Sequence, residues 1–462
     1  MQLPELLINS LQGTKGFDKE AFINVHASPE SITSIRINPL KWSKQEAIAY
    51  FRLTTADSLP WSQYGYYLKE RPSFTFDPLF HAGCYYVQEA SSMFLEQALK
   101  QTVDLSKPIK VLDLCAAPGG KSTHIQSLIS KESFLVSNEV IKSRANILKD
   151  NIIKWGADNV VVTNNDPKDF AKLENYFDVI VVDAPCSGSG LFRRDEEAMD
   201  EWSVNNVALC SQRQQRILAD VWPALKKDGI LVYSTCSYSK EEDEEILDWI
   251  KEQFIPDSYR DSSLQLTVDK NWNITESVSA TGMHGYRFWP YNVKGEGFFL
   301  SCFKKNDGES DFYGKAKKKL EPAGKKQIEI ICNWIKKDDL SFYINNDLVY
   351  AFPAMLQENI NILLTSLYVL YSGTIVGQIF ADKFIPEHSL AMSPAVSDSI
   401  PRIELDYERT IQYLQKKEFN TGVKQTGWHL ITCQGKNLGW IKNLVNRANN
   451  YYPKELRILK DI

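Results

Sequence analysis

The sequence has no Cys-x-x-Cys pair: its 8 cysteines stand apart at Cys84, Cys115, Cys186, Cys210, Cys236, Cys302, Cys332 and Cys433, and none has a histidine cluster near it. That spacing signals neither a zinc site nor a disulfide framework, so no metal is expected. The opening Met1-Gln2-Leu3-Pro4-Glu5 lacks a basic stretch followed by an apolar core; no secretory signal is expected, and a cytoplasmic location with reduced thiols is. Asn359 to Ala381 contains no charged residue, but Asn361, Thr365, Ser366, Ser372, Gly373, Thr374, Gly377 and Gln378 interrupt it. This predicts two buried strands joined as a hairpin at Ser372-Gly373 rather than a membrane span. The phosphate-loop patterns G-x-G-x-x-G and G-x-x-x-x-G-K-[ST] are missing as well.

What is present is ordinary globular composition, 43% hydrophobic, 24% charged and 12% aromatic over 462 residues, long enough for several domains. The net charge of -5 is unevenly spread. From Thr421 onward Lys424, Lys436, Lys442, Arg447, Lys454, Arg457 and Lys460 face only Glu455 and Asp461. Local positive potential of this kind favours a nucleic acid or an anionic surface as partner, with a solvated basic face as the alternative.

Residues 1–78 read as a small α/β appendage carrying the strand-like Ser34-Ile35-Arg36-Ile37-Asn38-Pro39. From Lys110 strands alternate with helices: Lys110 to Cys115, Phe134 to Val140, Val160 to Asn164, Asp178 to Asp183 and Ile230 to Cys236, with Phe298 to Phe303 closing the set. Such alternation predicts a doubly wound, mostly parallel α/β sheet over residues 79–305, with ligands beyond the carboxyl ends of its strands. A charged, aperiodic stretch at 306–326 reads as a linker to a module at 327–392. The last segment, 393–462, contains two short strands around a turn, Gly427 to Thr432 and Leu438 to Ile441.

The strongest chemical signal is Asp113-Leu114-Cys115-Ala116-Ala117-Pro118-Gly119-Gly120-Lys121, a strand running through a Pro-Gly-Gly turn into a helix. Glycines there let backbone amides approach a ligand at the electropositive helix start. Glu139 follows about 20 residues later, at the end of the next strand, where an acid accepts from ribose hydroxyls, and Asp166 follows the third strand. Two strand-end carboxylates and no base placed for a pyrophosphate suit S-adenosyl-L-methionine over a dinucleotide.

Two cysteines end neighbouring strands, in Asp183-Ala184-Pro185-Cys186-Ser187-Gly188 and Ser234-Thr235-Cys236-Ser237. A lone cysteine is usually a small buried hydrophobe. A pair at the ligand edge, one of them three residues after a carboxylate, fits covalent chemistry on an electron-poor ring: a thiolate adds to C6 of a cytosine and the activated C5 takes a methyl group. Asp183 would hold the pyrimidine edge. Spacing does not say which cysteine attacks.

These three motifs, in this order, resemble the Nop/Sun family of S-adenosylmethionine-dependent RNA cytosine-5 methyltransferases. Ile35-Arg36-Ile37-Asn38-Pro39, Tyr86-Val87-Gln88-Glu89-Ala90-Ser91-Ser92, Arg287-Phe288-Trp289-Pro290 and Gly295-Glu296-Gly297-Phe298-Phe299 add to the match. The resemblance implies a Rossmann-like methyltransferase core in which Cys236 is the nucleophile and Cys186 assists release of the product. It further implies that Cys115, Ala116, Ala117, Pro118, Gly119, Gly120, Lys121, Glu139, Asp166 and Asp183 hold the methyl donor, with Lys121 also near the cytosine.

Gly435-Lys436-Asn437-Leu438-Gly439-Trp440 and Asn449-Asn450-Tyr451-Tyr452-Pro453 resemble the tail of the F-type bacterial enzymes that act on 16S ribosomal RNA, implying a PUA-like RNA-binding domain. Ser189 departs from the Cys-Ser-Gly-Glu-Gly form common there, and Asp243 stands where the family often has Asn. Ser239-x-x-Glu242 is read as a helix capping box. The expected activity is 5-methylcytosine formation in small-subunit ribosomal RNA, free or assembled. A transfer-RNA target and a non-catalytic RNA-binding assembly factor are the alternatives.

Overall fold

In the computed structural model, which describes residues 3–256, 262–309, 312–317, 319–336, 339–380, 383–444 and 447–461, the chain first forms a small antiparallel sheet. Its strands β1 (Thr33–Ile37), β2 (Gly65–Leu68) and β3 (Tyr85–Val87) lie in the order β2-β1-β3. Ile35, Ile37 and Tyr85 are fully buried. The flanking helices Lys19–Ala27 and Lys44–Phe51 start at Asp18 and Ser43, whose side chains accept from Ala21 N and Glu46 N and satisfy amides the helices leave open.

The main sheet begins with β4 (Lys110–Asp113), β5 (Phe134–Asn138), β6 (Val160–Thr163), β7 (Phe177–Asp183) and β8 (Leu225–Thr235). All four pairings in β6-β5-β4-β7-β8 are parallel. Helices cover both faces, so these strands are near-continuous apolar runs such as Val160-Val161-Val162, all buried. Then come β9 (Thr275–Val278), β10 (His284–Phe288) and β11 (Phe298–Lys304). Phe298–Lys304 does not close the sheet as the sequence suggests: β11 runs antiparallel to β8, and β10 and β9 follow outside it.

The next module supplies β12 (Glu321–Pro322), β13 (Leu340–Asn345), β14 (Leu348–Pro353), β15 (Val369–Ser372), β16 (Thr374–Phe380) and β17 (Lys383–Pro386). Here the hairpin expectation fails. The first half of the uncharged run is helix, Gln357–Ser366, and the two strands on either side of Gly373 do not pair with each other. Strand β15 adds to β6, giving a nine-stranded sheet β15-β6-β5-β4-β7-β8-β11-β10-β9, whereas β16 sits in the five-stranded sheet β12-β13-β14-β16-β17. Burial drives both placements: Tyr371 joins the core around Val160 and Val162, and Val376 joins one built on Val349, Ala351 and Trp440.

The last sheet holds β18 (Arg402–Glu404), β19 (Gly427–Cys433), β20 (Lys436–Asn443) and β21 (Ala448–Asn450) in that order. It packs back on the N-terminal sheet, since Ile403, Tyr413, Ile431 and Leu438 share one core with Ile35, Trp42 and Tyr85. Lys436 Nζ lies 3.0 Å from Glu46 Oε1 across that junction. Among the described residues no helix is long and apolar enough to cross a membrane.

Candidate active site

The turn after β4 is held by its neighbours. Leu114 N donates to Val181 O (3.0 Å) and Ala116 N to Asn138 O (2.8 Å). Gly119, at φ +115°, then starts the helix Gly120–Leu128, a backbone angle that glycine adopts without strain. The turn opens on a cleft of ≈ 510 Å³ lined by Tyr86, Val87, Gln88, Glu89, Ser92, Cys115, Ala116, Ala117, Pro118, Gly120, Lys121, Asp183, Leu191, Arg194 and Asp195. Beneath it Asp113 is fully buried and receives Ser122 Oγ at 2.7 Å. Burial, with Asp183 nearby, raises its carboxyl to about 7 despite that bond.

Six of the residues expected to hold the donor, besides Lys121, line this cleft: Cys115, Ala116, Ala117, Pro118, Gly120 and Asp183. Gly119, Glu139 and Asp166 do not. Glu139 accepts from Ile141 N at 2.9 Å and lies 3.4 Å from Arg144 Nη1. Asp166 caps the short helix Pro167–Leu173 through Lys168 N. The sequence reading overlooked the roles of Tyr86, Gln88, Glu89 and Arg194 as cleft lining; the first three had a signal, the Tyr86–Ser92 motif, which alone does not say which surface it serves.

Lys121 is only 13% exposed, and its Nζ lies 2.8 Å from Asp183 Oδ2. Burial works against its charge, but Asp183 outweighs burial and raises the ammonium above the ordinary lysine value. The other Asp183 oxygen accepts from Ser234 Oγ at 2.8 Å. Beside this pair, at the ends of adjacent parallel strands, Cys186 Sγ lies 2.9 Å from Cys236 Sγ. The contact with Cys236 and burial push the Cys186 thiol well above its usual value. Cys115, by contrast, has its thiol raised by burial and then by Asp113.

Close backbone approach sets the cysteine loops. Gly190 N donates to Cys236 O at 2.8 Å, and a Cβ on Gly190 would fall 2.6 Å from both Cys236 O and Gly297 O. Ser189, the departure noted above, is fully buried, and its Oγ accepts from Tyr238 N at 2.9 Å. The capping box at Ser239 is not formed: Ser239 makes no side-chain cap, and Glu242 turns inward to the loops carrying Cys186 and Cys236. Two serines that each follow a cysteine bind that carboxylate better than an exposed helix start could. Asp243 and Glu244 bind Arg287 of β10, which also donates to Tyr238 O at 3.0 Å. Among the described residues no group of three His, Cys, Asp or Glu side chains is placed to hold a metal ion.

A parallel sheet with a glycine turn after its first strand, a nucleoside-sized cleft at its carboxyl edge and carboxylates in that cleft defines a Rossmann-like S-adenosylmethionine-dependent methyltransferase. The cleft fits that molecule: Glu89, Asp183 and Asp195 outnumber Lys121 and Arg194 in its lining, which suits a cationic sulfonium.

Family descriptions match in three parts: 16S rRNA methyltransferase RsmB/F over residues 100–304, the N-terminal domain of 16S rRNA methyltransferase RsmF over 3–90, and the methyltransferase RsmF PUA domain over 400–458. The ribosomal RNA small subunit methyltransferase F of Shewanella woodyi is 31% identical over 447 residues, covering 92% of this chain and 90% of the relative. That of Shewanella piezotolerans is 29% identical over 461 residues, covering 95% and 93%. A solved methyltransferase homolog from Pyrococcus horikoshii superposes with a TM-score of 0.51 at 27% identity, over 66% of this chain and 100% of that one. The chain belongs to the ribosomal RNA small subunit methyltransferase F family, and S-adenosylmethionine is its cofactor.

Proposed function

We propose that this protein forms 5-methylcytosine in 16S ribosomal RNA through a cysteine adduct at C6 of the target base. The observation that carries the reading is the sulfur pair, Cys186 and Cys236, 2.9 Å apart beside Lys121 and Asp183. Sulfurs so close do not both ionise, because like charges at that distance repel. Cys186 keeps its proton and Cys236 attacks, the roles the family resemblance implies.

As the Cys236 Sγ–C6 bond forms, the C5–C6 double bond opens and charge builds toward C5 and N3. Asp183, fixed by Lys121 and Ser234, holds the pyrimidine edge and favours a proton at N3. S-adenosylmethionine, which Cys115, Ala116, Ala117, Pro118 and Gly120 would hold in the cleft, would supply the electrophilic methyl group for C5 and leave as S-adenosylhomocysteine. Loss of the C5 proton to a base then restores the double bond as Sγ leaves C6, and Cys186, in contact with the departing sulfur, assists that release.

We assign RNA contact to residues 1–78 and 393–462, which flank the catalytic region 79–305, with 306–326 as linker and 327–392 as the middle module; the reaction is placed in the cytoplasm. The test is purified protein with methyl-labelled S-adenosylmethionine and, separately, unmodified 16S RNA, assembled small subunits and transfer RNA, followed by nucleoside analysis. Label in 5-methylcytosine from 16S RNA or the subunit supports the reading. Label only from transfer RNA overturns the target, and label in another nucleoside overturns the chemistry.

A further inference from the structure

One buried carboxylate ties together the two loops that carry the cysteines. Ser187 Oγ and Ser237 Oγ, each on the residue after a cysteine, donate to Glu242 Oε2 at 2.5 and 2.6 Å. The other oxygen accepts from Ser187 N at 2.8 Å and from Gln214 Nε2 at 3.2 Å. Four donors fill the acceptor capacity of an ionised carboxylate. Gln214 also donates to Pro185 O, just before Cys186, at 3.1 Å, and Tyr233 Oη lies 2.7 Å from the Glu242 carbonyl. Gln214, Tyr233 and Glu242 are fully buried.

We propose that Glu242 is a positioning residue that sets the separation of the Cys186 and Cys236 sulfurs. The inference rests on the covalent reading above for its effect on turnover, while the separation itself is a property of the free protein. The two loops come from different strand ends, β7 and β8. The bond from Gly190 N to Cys236 O and Ser189 Oγ, which accepts from Tyr238 N and lies 3.4 Å from Ser237 Oγ, also bring them near, but among the described residues Glu242 is the carboxylate bonded to the residue after both cysteines. Burying a carboxylate is unfavourable unless it is fully hydrogen-bonded, and burial does raise this one above the ordinary range. A link serving only to join two loops needs no such charge; a link that must hold two sulfurs in register gains from four short, directional bonds.

The experiment compares wild type, Glu242→Ala, Glu242→Gln and the double variant Ser187→Ala/Ser237→Ala, which keeps Glu242 and removes two donors. Methylation kinetics should show kcat falling about 100-fold in Glu242→Ala, the cost of a misplacement of about 1 Å, with KM for S-adenosylmethionine unchanged. Glu242→Gln, which retains an oxygen for Ser187 N, should recover part of that loss.

The readout independent of catalysis is oxidation of the free protein by diamide. This azo oxidant takes two hydrogens as the Cys186 and Cys236 thiols join in a disulfide, and is itself reduced to the hydrazine; peptide mapping gives the rate. The rate should fall about tenfold in both Glu242→Ala and the double variant. Folded Glu242→Ala, or the folded double variant if the former does not fold, cross-linking at the wild-type rate overturns the proposal. So does slowed cross-linking with unchanged kcat, because the separation would then not govern turnover. Wild type that makes no 5-methylcytosine overturns the covalent reading alone and leaves the cross-linking result to decide the positioning.

Discussion

Arg36 Nη2 donates to the carbonyl of Gly120, the first residue of the helix after the Pro-Gly-Gly turn, at 3.2 Å. The same fully buried guanidinium reaches Gln88 Oε1 (2.8 Å), Ser127 Oγ (3.0 Å) and Thr123 Oγ1 (2.6 Å) and lies 4.6 Å over the Trp155 ring. Burial lowers it to about 9, so it stays charged at neutral pH. The N-terminal sheet therefore fixes the donor cleft from behind. Arg36→Met should destabilise the protein by about 3 kcal/mol, several charge-assisted bonds being lost at once. It should also weaken S-adenosylhomocysteine binding. Urea unfolding and calorimetric titration check the two; unchanged affinity in a folded variant would sink the link between sheet and cleft.

The cysteine roles have opposite signatures. Cys236→Ala should give neither methylated RNA nor adduct while melting like wild type, because its loss removes the attacking sulfur. Cys186→Ala should still attack but release slowly, leaving a protein–RNA band that survives denaturing electrophoresis. The reverse pattern, an adduct in Cys236→Ala, would falsify the assignment.

Lys121 and Asp183 act as a unit. Asp183→Asn removes the charge that holds Lys121 above the ordinary lysine value and weakens the acceptor for the pyrimidine edge. Single-turnover methylation should slow by about 10²–10³-fold, the range for losing one preorganised electrostatic contact in a site. Lys121→Met should lower the rate as well, and the double variant should lose less than the product of the two, since the residues share one contact. Multiplicative losses would show that the 2.8 Å pair does not work as one.

The parallel strands were legible because β4 to β8 are apolar on both faces, and the sulfurs because each follows such a strand. What stayed hidden depends on distant partners. Nothing local in Ser239-x-x-Glu242 tells a capping box from a carboxylate turned toward Ser187, 55 residues away. The hairpin reading at Gly373 failed for the same reason: both strands exist, but β6 and β14 compete successfully for their edges. Arg36 was legible as part of a motif, while its bonds to Gly120 and Thr123, 84 and 87 residues on, were not.

Asp243 carries a pH signature. It is fully buried 3.0 Å from Arg287 Nη1 and accepts from Thr235 Oγ1 at 2.7 Å, yet burial, with Glu244 nearby, outweighs both and raises its carboxyl well above the ordinary value. At Glu244 the arginine outweighs burial and lowers the carboxyl. A raised native value makes the folded state the more protonated one, so stability falls as pH climbs from the ordinary carboxylate range toward that value. Asparagine keeps the shape without titrating. Asp243→Asn should therefore gain stability relative to wild type as pH rises, with a larger Tm difference at about pH 8 than at about pH 5. A difference that shrinks with pH would show that Asp243 is the ionised partner of Arg287.

The aromatics of the last sheet divide by burial. Trp440 and Tyr452 are 1% and 2% exposed, with Trp440 Nε1 donating to Glu387 O at 2.9 Å; they are core. Tyr451 is 40% exposed, its ring 4.5 Å from that of the half-buried Trp428, over which Lys442 Nζ lies at 5.4 Å. A ring pair with a cation at the surface suits base stacking with phosphate contact. Trp428→Ala should weaken 16S RNA binding by about 1–3 kcal/mol with little change in Tm. Lys442→Ala should reduce the slope of log affinity against log salt by about 1. Trp440→Ala should instead lower Tm by leaving a cavity and removing one of the two hydrogen bonds to Glu387 O, which also accepts from Leu390 N. Filter binding at several salt concentrations, with melting curves, separates these outcomes, and RNA affinity unchanged in Trp428→Ala and Lys442→Ala together would move the RNA contact off this face.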